Sequence, residues 1–317
     1  MARAYLNEIF DRAFIVDEEV EPFDGTHAYS INDLGTAVGY AFTNPIDEDG
    51  DGVIDIPSTY QARMWNWYEG WLDDFPPWHE GNGDSRARDI NNQGNAVGTS
   101  NGGPEVDWLG VFWWDGNTIP IVLEPLPRHT SSHATALNER RIVTGYSYTP
   151  FLEYIPVTWE EGFKVTELPL LPGYTSCFPQ EINAFGEIGG YWWSPSTIEA
   201  ALWACDGVYG LGFSEGGSHT RANGLNDWGF IVGDGYDASG QRGPAFWMIT
   251  EAIQRCDEEP YAAWIEPDFS EWPDYHVPIS ATAVNNQADI IGNGLNVNDG
   301  ESEIAWLARN FANRLLN

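Results

Sequence analysis

The stretch "AYSINDLGTAVGYA", residues 28–41, reads as a strand, a tight turn and a second strand. Asn32 stands at the first turn position, where its side chain accepts backbone hydrogen bonds. Gly35, at the fourth, takes the left-handed conformation that a bulged hairpin needs. Gly39, seven residues after the Asn, lets two strands approach closely. The pattern recurs along the chain. An aliphatic residue precedes Asn at Ile31-Asn32, Ile90-Asn91, Leu137-Asn138, Ile182-Asn183, Leu225-Asn226 and Val284-Asn285. The glycine at plus seven is kept each time, as Gly39, Gly98, Gly145, Gly190, Gly233 and Gly292. Gly35, Gly94, Gly186 and Gly229 keep the turn glycine, whereas Arg141 and Ala288 replace it, and looser hairpins are expected there.

Further along, every repeat carries a Trp on a third extended segment: Trp65, Trp113, Trp159, Trp203, Trp247 and Trp306. A turn such as "WDG" or "EEG" then leads into a fourth, as in "FKVTELPLLP". The Asn-to-Asn spacings are 59, 47, 45, 43 and 59. Four strands in roughly 40 to 50 residues is the size of a propeller blade. The expectation is therefore an all-β, six-bladed β-propeller of four-stranded blades, forming a single domain over residues 1–317. A linear solenoid is the rival, but it needs capping repeats and shorter units. "RAFIVDEEVEPFDGT" (12–26) resembles the fourth strand of other repeats and is expected to close the ring, although "NFANRLLN" (310–317) could do so too.

The pattern A-x-x-Φ-N-x-x-G-x-Φ-V-G followed by A-x-W-x-x-G resembles the HAF-type extracellular repeat family of bacteria and archaea. The resemblance spans about residues 13 to 310 and implies an extracellular propeller. It says little about activity.

The chain has 48 acidic residues against 14 basic ones, a net charge of −34. Such a surface repels nucleic acid and anionic lipid and attracts divalent cations. Disorder does not follow from this charge, because 16 Trp supply far more buriable surface than disordered chains carry. No run is long and apolar enough to span a membrane. The N-terminal "MARAYLNEIFDRAF" is mixed and charged, without a secretory pattern. Three cysteines, Cys177, Cys205 and Cys256, cannot all pair within the chain. A Cys177–Cys205 bridge is open, with the balance against it.

One repeat departs from the rest. The Gly-to-Trp distance is 26 in the first repeat and 13 to 15 in the others. The excess of about twelve residues contains Asp47-x-Asp49-x-Asp51-Gly52-x-x-Asp55. Carboxylates at positions 1, 3 and 5 turn inward when backbone wraps an ion, and glycine at position 6 permits the sharp bend. The Val53 carbonyl supplies a further oxygen. Ser58 stands where a helix-flanked hand has its bidentate Glu, so Asp55 would complete the shell. A Ca2+ site formed by Asp47, Asp49, Asp51, Val53 and Asp55 is expected, with a solvated acidic turn as the plain alternative.

No catalytic motif of the serine-hydrolase, P-loop, zinc-protease or dinucleotide type is present. His27 and His133 share one offset, five residues before their Asn, and Arg86 and Arg221 occupy it in two other repeats. His129, His219 and His276 lie nearby. Histidines around a funnel could hold a transition metal or move protons, but capping strand ends is the commoner use. Asp73-Asp74, Glu160-Glu161 and Glu258-Glu259 are adjacent in sequence; neighbouring side chains on a strand face opposite ways, so none makes an acid/base pair alone. Aromatics beyond the periodic Trp set, among them Trp67, Trp71, Trp78, Trp108, Trp114, Trp192, Trp193, Trp264 and Trp272, suggest a surface for sugars or a subunit contact, or packing between blades. The expected function is a non-catalytic, calcium-binding extracellular scaffold for a protein partner, self-association or a glycan. A glycan-active lyase or hydrolase is the alternative.

Overall fold

The computed structural model describes residues 27–42, 59–66, 70–75, 77, 83–101, 107–115, 119–149, 153–174, 176–205, 207–249, 276–296 and 303–308. These residues are all-β, in the arrangement of a β-propeller. Each sheet is an antiparallel meander in sequence order. The first holds β1 (His27–Ile31), β2 (Thr36–Phe42), β3 (Tyr60–Asn66) and β4 (Gly70–Phe75). The second holds β5 (Ser85–Ile90), β6 (Ala96–Ser100), β7 (Leu109–Trp113) and β8 (Ile121–Leu123). The third holds β9 (Ser131–Leu137), β10 (Val143–Tyr148), β11 (Tyr154–Glu160) and β12 (Lys164–Glu167). The fourth holds β13 (Ser176–Ile182), β14 (Ile188–Trp193), β15 (Ile198–Ala204) and β16 (Gly207–Gly210). The fifth holds β17 (Thr220–Leu225), β18 (Phe230–Tyr236) and β19 (Arg242–Met248), and the sixth β20 (His276–Val284), β21 (Ile290–Asn296) and β22 (Glu303–Ala308). Four strands per blade thus holds for four sheets; the last two have three among the described residues. The expected closing strand, 12–26, lies outside them. The chain divides into two compact units, one holding the first three sheets apart from Tyr154–Pro156 and the other the last three with that segment.

Within each unit the first strands of successive sheets lie side by side, β1 by β5 and β5 by β9, then β13 by β17 and β17 by β20. The core lies between sheets. Val38, Ala62, Met64 and Phe75 of the first sheet pack on Ala87, Ile90, Val111 and Trp113 of the second. Val97, Phe112 and Leu123 of the second meet Leu137, Val143, Val157 and Trp159 of the third. Leu202 and Leu211 pack in the same way on Leu225, Ile231 and Trp247. Trp113, Trp159, Trp203 and Trp247 of the periodic set are buried, as blade core should be. Three of them also bond the segment that follows a fourth strand. The indole Nε1–H donates from Trp159 to the Glu124 carbonyl at 2.8 Å, from Trp203 to Pro169 at 2.9 Å and from Trp247 to Leu211 at 3.0 Å. Truncating such a residue to Ala costs roughly 3–5 kcal/mol.

The Asn turn is a link between sheets as well as a turn. Asn91 Oδ1 accepts from the N–H groups of Gln93 at 3.0 Å and Asn95 at 3.1 Å, closing its own hairpin. Asn91 Nδ2 donates to the Asn138 carbonyl of the next sheet at 3.3 Å. The same inter-sheet bond runs from Asn32 to Asn91, Asn183 to Asn226 and Asn226 to Asn285. Beside it, the backbone N–H of the residue after each Asn donates to the side chain of its counterpart one sheet on: Asp33 to Asn92, Asn92 to Glu139, Ala184 to Asp227 and Asp227 to Asn286.

The glycine at plus seven has a steric cause. A β-bulge in the first strand pushes a carbonyl toward the second, so an added Cβ on Gly98 would lie 1.9 Å from the Arg86 carbonyl oxygen. The looser hairpins expected at Arg141 and Ala288 are not found. Both residues adopt positive φ, 63° and 60°, and keep the same turn hydrogen bonds as their glycine counterparts. The Asn side chain holds the turn closed whatever residue occupies the left-handed position.

Candidate functional site

The acidic loop Asp47, Asp49, Asp51, Val53, Asp55 lies outside the described residues, as do Trp67, Trp78, Trp264 and Trp272. Among the described residues no group of three His, Cys, Asp or Glu side chains is placed to hold a metal. His27 stacks on Tyr40, with ring centroids 4.8 Å apart, and His133 stacks on Tyr146 at 5.1 Å and 9°. His129 Nδ1 bonds the Ser147 hydroxyl at 2.9 Å, and His219 Nδ1 the Ser218 hydroxyl at 2.9 Å. The triplet 191–193 splits by strand alternation: Tyr191 is half-buried, Trp192 is core and Trp193 is exposed.

Strand register explains what the histidines do. The residue five before each Asn pairs across to the residue eight after it, giving His27 with Tyr40, Arg86 with Thr99, His133 with Tyr146, Phe178 with Tyr191 and Arg221 with Asp234. In the first unit these positions gather a cluster of rings and cations. The Arg86 guanidinium lies 4.2 Å from the Tyr60 ring centroid, 5.2 Å from Trp108 and 5.4 Å from Tyr40. Arg88, the bulge residue of β5, covers Tyr29 at 4.3 Å. Trp108 leads on to His133 at 6.2 Å, and His133 to Tyr148 at 5.6 Å. Tyr29 is 42% exposed, His27 is exposed, and Tyr60, Arg86, Arg88, Trp108, His133, Tyr146 and Tyr148 are half-buried.

The electrostatics of this cluster are unusual for so acidic a chain. Among the described residues neither Arg86 nor Arg88 has a carboxylate or hydrogen-bond partner for its guanidinium, and Arg86 Nε is buried without an acceptor. Burial, with the Arg88 and Arg86 charges acting in the same sense, lowers His133 to about 4, so its ring is neutral at pH 7. Asp89, next to Arg88 on β5, is half-buried. Its carboxylate accepts from the Ser30 hydroxyl at 2.6 Å, the Leu137 N–H at 2.8 Å and its neighbour Ile90 at 2.9 Å, tying the first strands of three sheets together. Burial raises its pKa despite these donors.

The second unit offers the contrast. Arg221 sits at the Arg86 position and approaches Tyr191 at 5.5 Å, but Asp234 stands opposite it. The buried Asp234 is 3.8 Å from Arg221 Nη1 and accepts from Arg242 Nε at 2.9 Å and Asn223 Nδ2 at 3.1 Å. Here the cations are consumed internally. At the Arg86 position Thr99 replaces the acid.

Of this cluster, sequence reasoning had singled out His27, His133, Arg86 and Trp108, and missed Tyr29, Tyr40, Tyr60, Arg88, Tyr146 and Tyr148. One signal was available: a Tyr stands eight residues after the Asn in three repeats, at Tyr40, Tyr146 and Tyr191.

No protein-family model and no curated protein matches the chain. Solved structures of similar fold include an acylaminoacyl peptidase from Pyrococcus horikoshii, at 11% identity and a TM-score of 0.47 over 82% of this chain and 41% of that one. AofleA from Arthrobotrys oligospora is similar at 10% identity and a TM-score of 0.48, over 90% of this chain and 82% of that one. A catalytically inactive virginiamycin B lyase from Staphylococcus aureus, with quinupristin, is similar at 9% and 0.47, over 92% and 86%. The chain spans less than half of the peptidase's length.

Proposed function

We propose that this chain is a six-bladed, calcium-stabilised extracellular propeller that acts as a binding or assembly scaffold and carries out no chemistry of its own. The observation that carries this reading is the cluster of half-buried rings around Arg86 and Arg88. Flat aromatic faces beside cations make a recognition surface. The ionisable ring at its centre, His133, is neutral and stacked, a poor position for proton transfer. Cys205 is disulfide-bonded and Cys177 is free and buried, which excludes a Cys177–Cys205 bridge. A structural disulfide supports an oxidising compartment, in keeping with the resemblance to HAF-type repeats. For assembly, Phe185 and Trp228, at the same turn position of the fourth and fifth sheets, are 65% and 68% exposed and suit a protein partner or a second copy.

The test is a glycan array together with sedimentation at several concentrations and an assay for shortened polysaccharide. Binding or association without turnover is the expected result. Cleavage that stops on changing His27 or His133 would replace the scaffold with the glycan-active enzyme.

A further inference from the structure

Resting on the binding reading, we infer that Arg86 and Arg88, framed by Tyr29, Tyr60, Trp108 and Tyr148, form a site for an acidic saccharide, one whose carboxylate or sulfate meets the guanidinium pair while its ring faces stack on the aromatics. Three observations lead there. First, a chain with 48 acidic and 14 basic residues has carboxylates to spare, yet both guanidinia stand without one among the described residues. Each carries five N–H donors in a fork that matches a carboxylate or sulfate. Second, the fold contains its own control. Arg221 occupies the Arg86 position and is neutralised by Asp234, whereas Arg86 faces Thr99, which brings no charge. The blade can therefore supply the internal acid, and at this repeat it does not. Third, the cations lie among half-exposed rings, Tyr29 the most open of them.

Charge density selects the class of ligand. A surface at −34 repels every polyanion, and duplex nucleic acid, with a charge about every 1.7 Å, the most strongly. A uronate chain carries one carboxylate per sugar and presents apolar C–H faces between them. It can satisfy two guanidinia locally and stack elsewhere. The aromatic frame has no comparable use for an acidic peptide, whose side chains bring charge without a flat apolar face.

The experiment is titration calorimetry on the full chain in calcium. The probes are oligogalacturonate, oligomannuronate, and glucuronate-bearing and sulfated oligosaccharides. Methyl-esterified oligogalacturonate serves as the neutral counterpart and polyglutamate as the acidic non-sugar. At least one acidic oligosaccharide should bind, with the ester weaker by about tenfold or more, since a charged hydrogen bond is worth that much. Arg86→Gln and Arg88→Gln should each weaken binding by about tenfold or more, and Arg86→Lys should fall between. Near-UV circular dichroism checks each variant; if Arg86→Gln misfolds, Arg88→Gln, on the more open side, carries the test. The inference is overturned if no acidic oligosaccharide binds, if polyglutamate competes equally, or if Arg88→Gln binds like the unmodified chain. Equal binding of the ester removes the acidic class and leaves the scaffold standing. Shortening of the probe removes the scaffold and leaves the site.

Discussion

Asn91 serves two sheets with one amide, its oxygen closing a hairpin and its nitrogen reaching the next sheet. Asn91→Ala leaves the buried Asn95 N–H without its side-chain acceptor and removes the link, so a loss of roughly 2–4 kcal/mol in denaturant unfolding is expected. Asn91→Asp keeps the acceptor but turns a carboxylate toward the Asn138 carbonyl, and a smaller loss, about 1–3 kcal/mol, should follow. If the Asp variant matched the unmodified chain, the inter-sheet bond would contribute nothing. His133 makes a pH-dependent contribution. Its folded pKa, about 4, lies below an unfolded value of about 6.5. As pH falls the unfolded chain takes the proton first. Stability attached to this ring is complete above the unfolded value and is lost as pH falls through that window toward 4, by up to roughly 3 kcal/mol. His133→Phe keeps a ring against Tyr146 and should flatten that part of the stability profile measured by urea unfolding. Asp89 titrates with the opposite sign, so the comparison must be variant against unmodified chain at each pH.

At the scale of the hairpin, the strain at Ala288 can be measured. A non-glycine residue in the left-handed region costs about 1–2 kcal/mol. Glycine gives part of that back through the freedom of its unfolded chain. Ala288→Gly should therefore raise stability by up to about 1 kcal/mol, read as a higher melting temperature; a fall would mean that the half-turn is held for its methyl packing against Phe230 and Ile290. The hairpins were legible in sequence because their causes are local: one amide, one left-handed residue and one close approach. The Trp core was legible for a related reason, since a residue recurring once per repeat must occupy one repeating environment. The aromatic and cationic cluster was not. It depends on cross-strand register and on what the adjoining sheet places beside Arg86, so that Thr99 against Asp234 decides whether an arginine is spent or free. Fourth strands at the fifth and sixth sheets were expected from pattern alone, and the described residues supply three strands there.

Over the whole molecule, a charge of −34 places like charges close together and makes cation binding a stability matter. If the loop of Asp47, Asp49, Asp51 and Asp55 binds Ca2+, a ligand at a hundredfold excess over Kd adds about 2.7 kcal/mol. Chelation should then lower the melting temperature, and Asp49→Asn with Asp51→Asn should both lower it in calcium and blunt the response to chelator. Magnesium should restore little, since it prefers a smaller octahedral shell and keeps its waters. An unchanged melting temperature on chelation would reduce the loop to a solvated turn.

The linkage through the Asn turns bears on how such a gene changes length. Within each unit a turn meets its partner in the repeat that follows, through the same two positions every time. Two copies that have diverged everywhere else therefore remain interchangeable at this joint. Unequal crossing-over between repeats, with its breakpoint at the Asn codon, would add or delete one whole sheet and leave the donors and acceptors on either side matched. Lineages descended from such a gene should differ in repeat number by whole units, with their junctions at this turn.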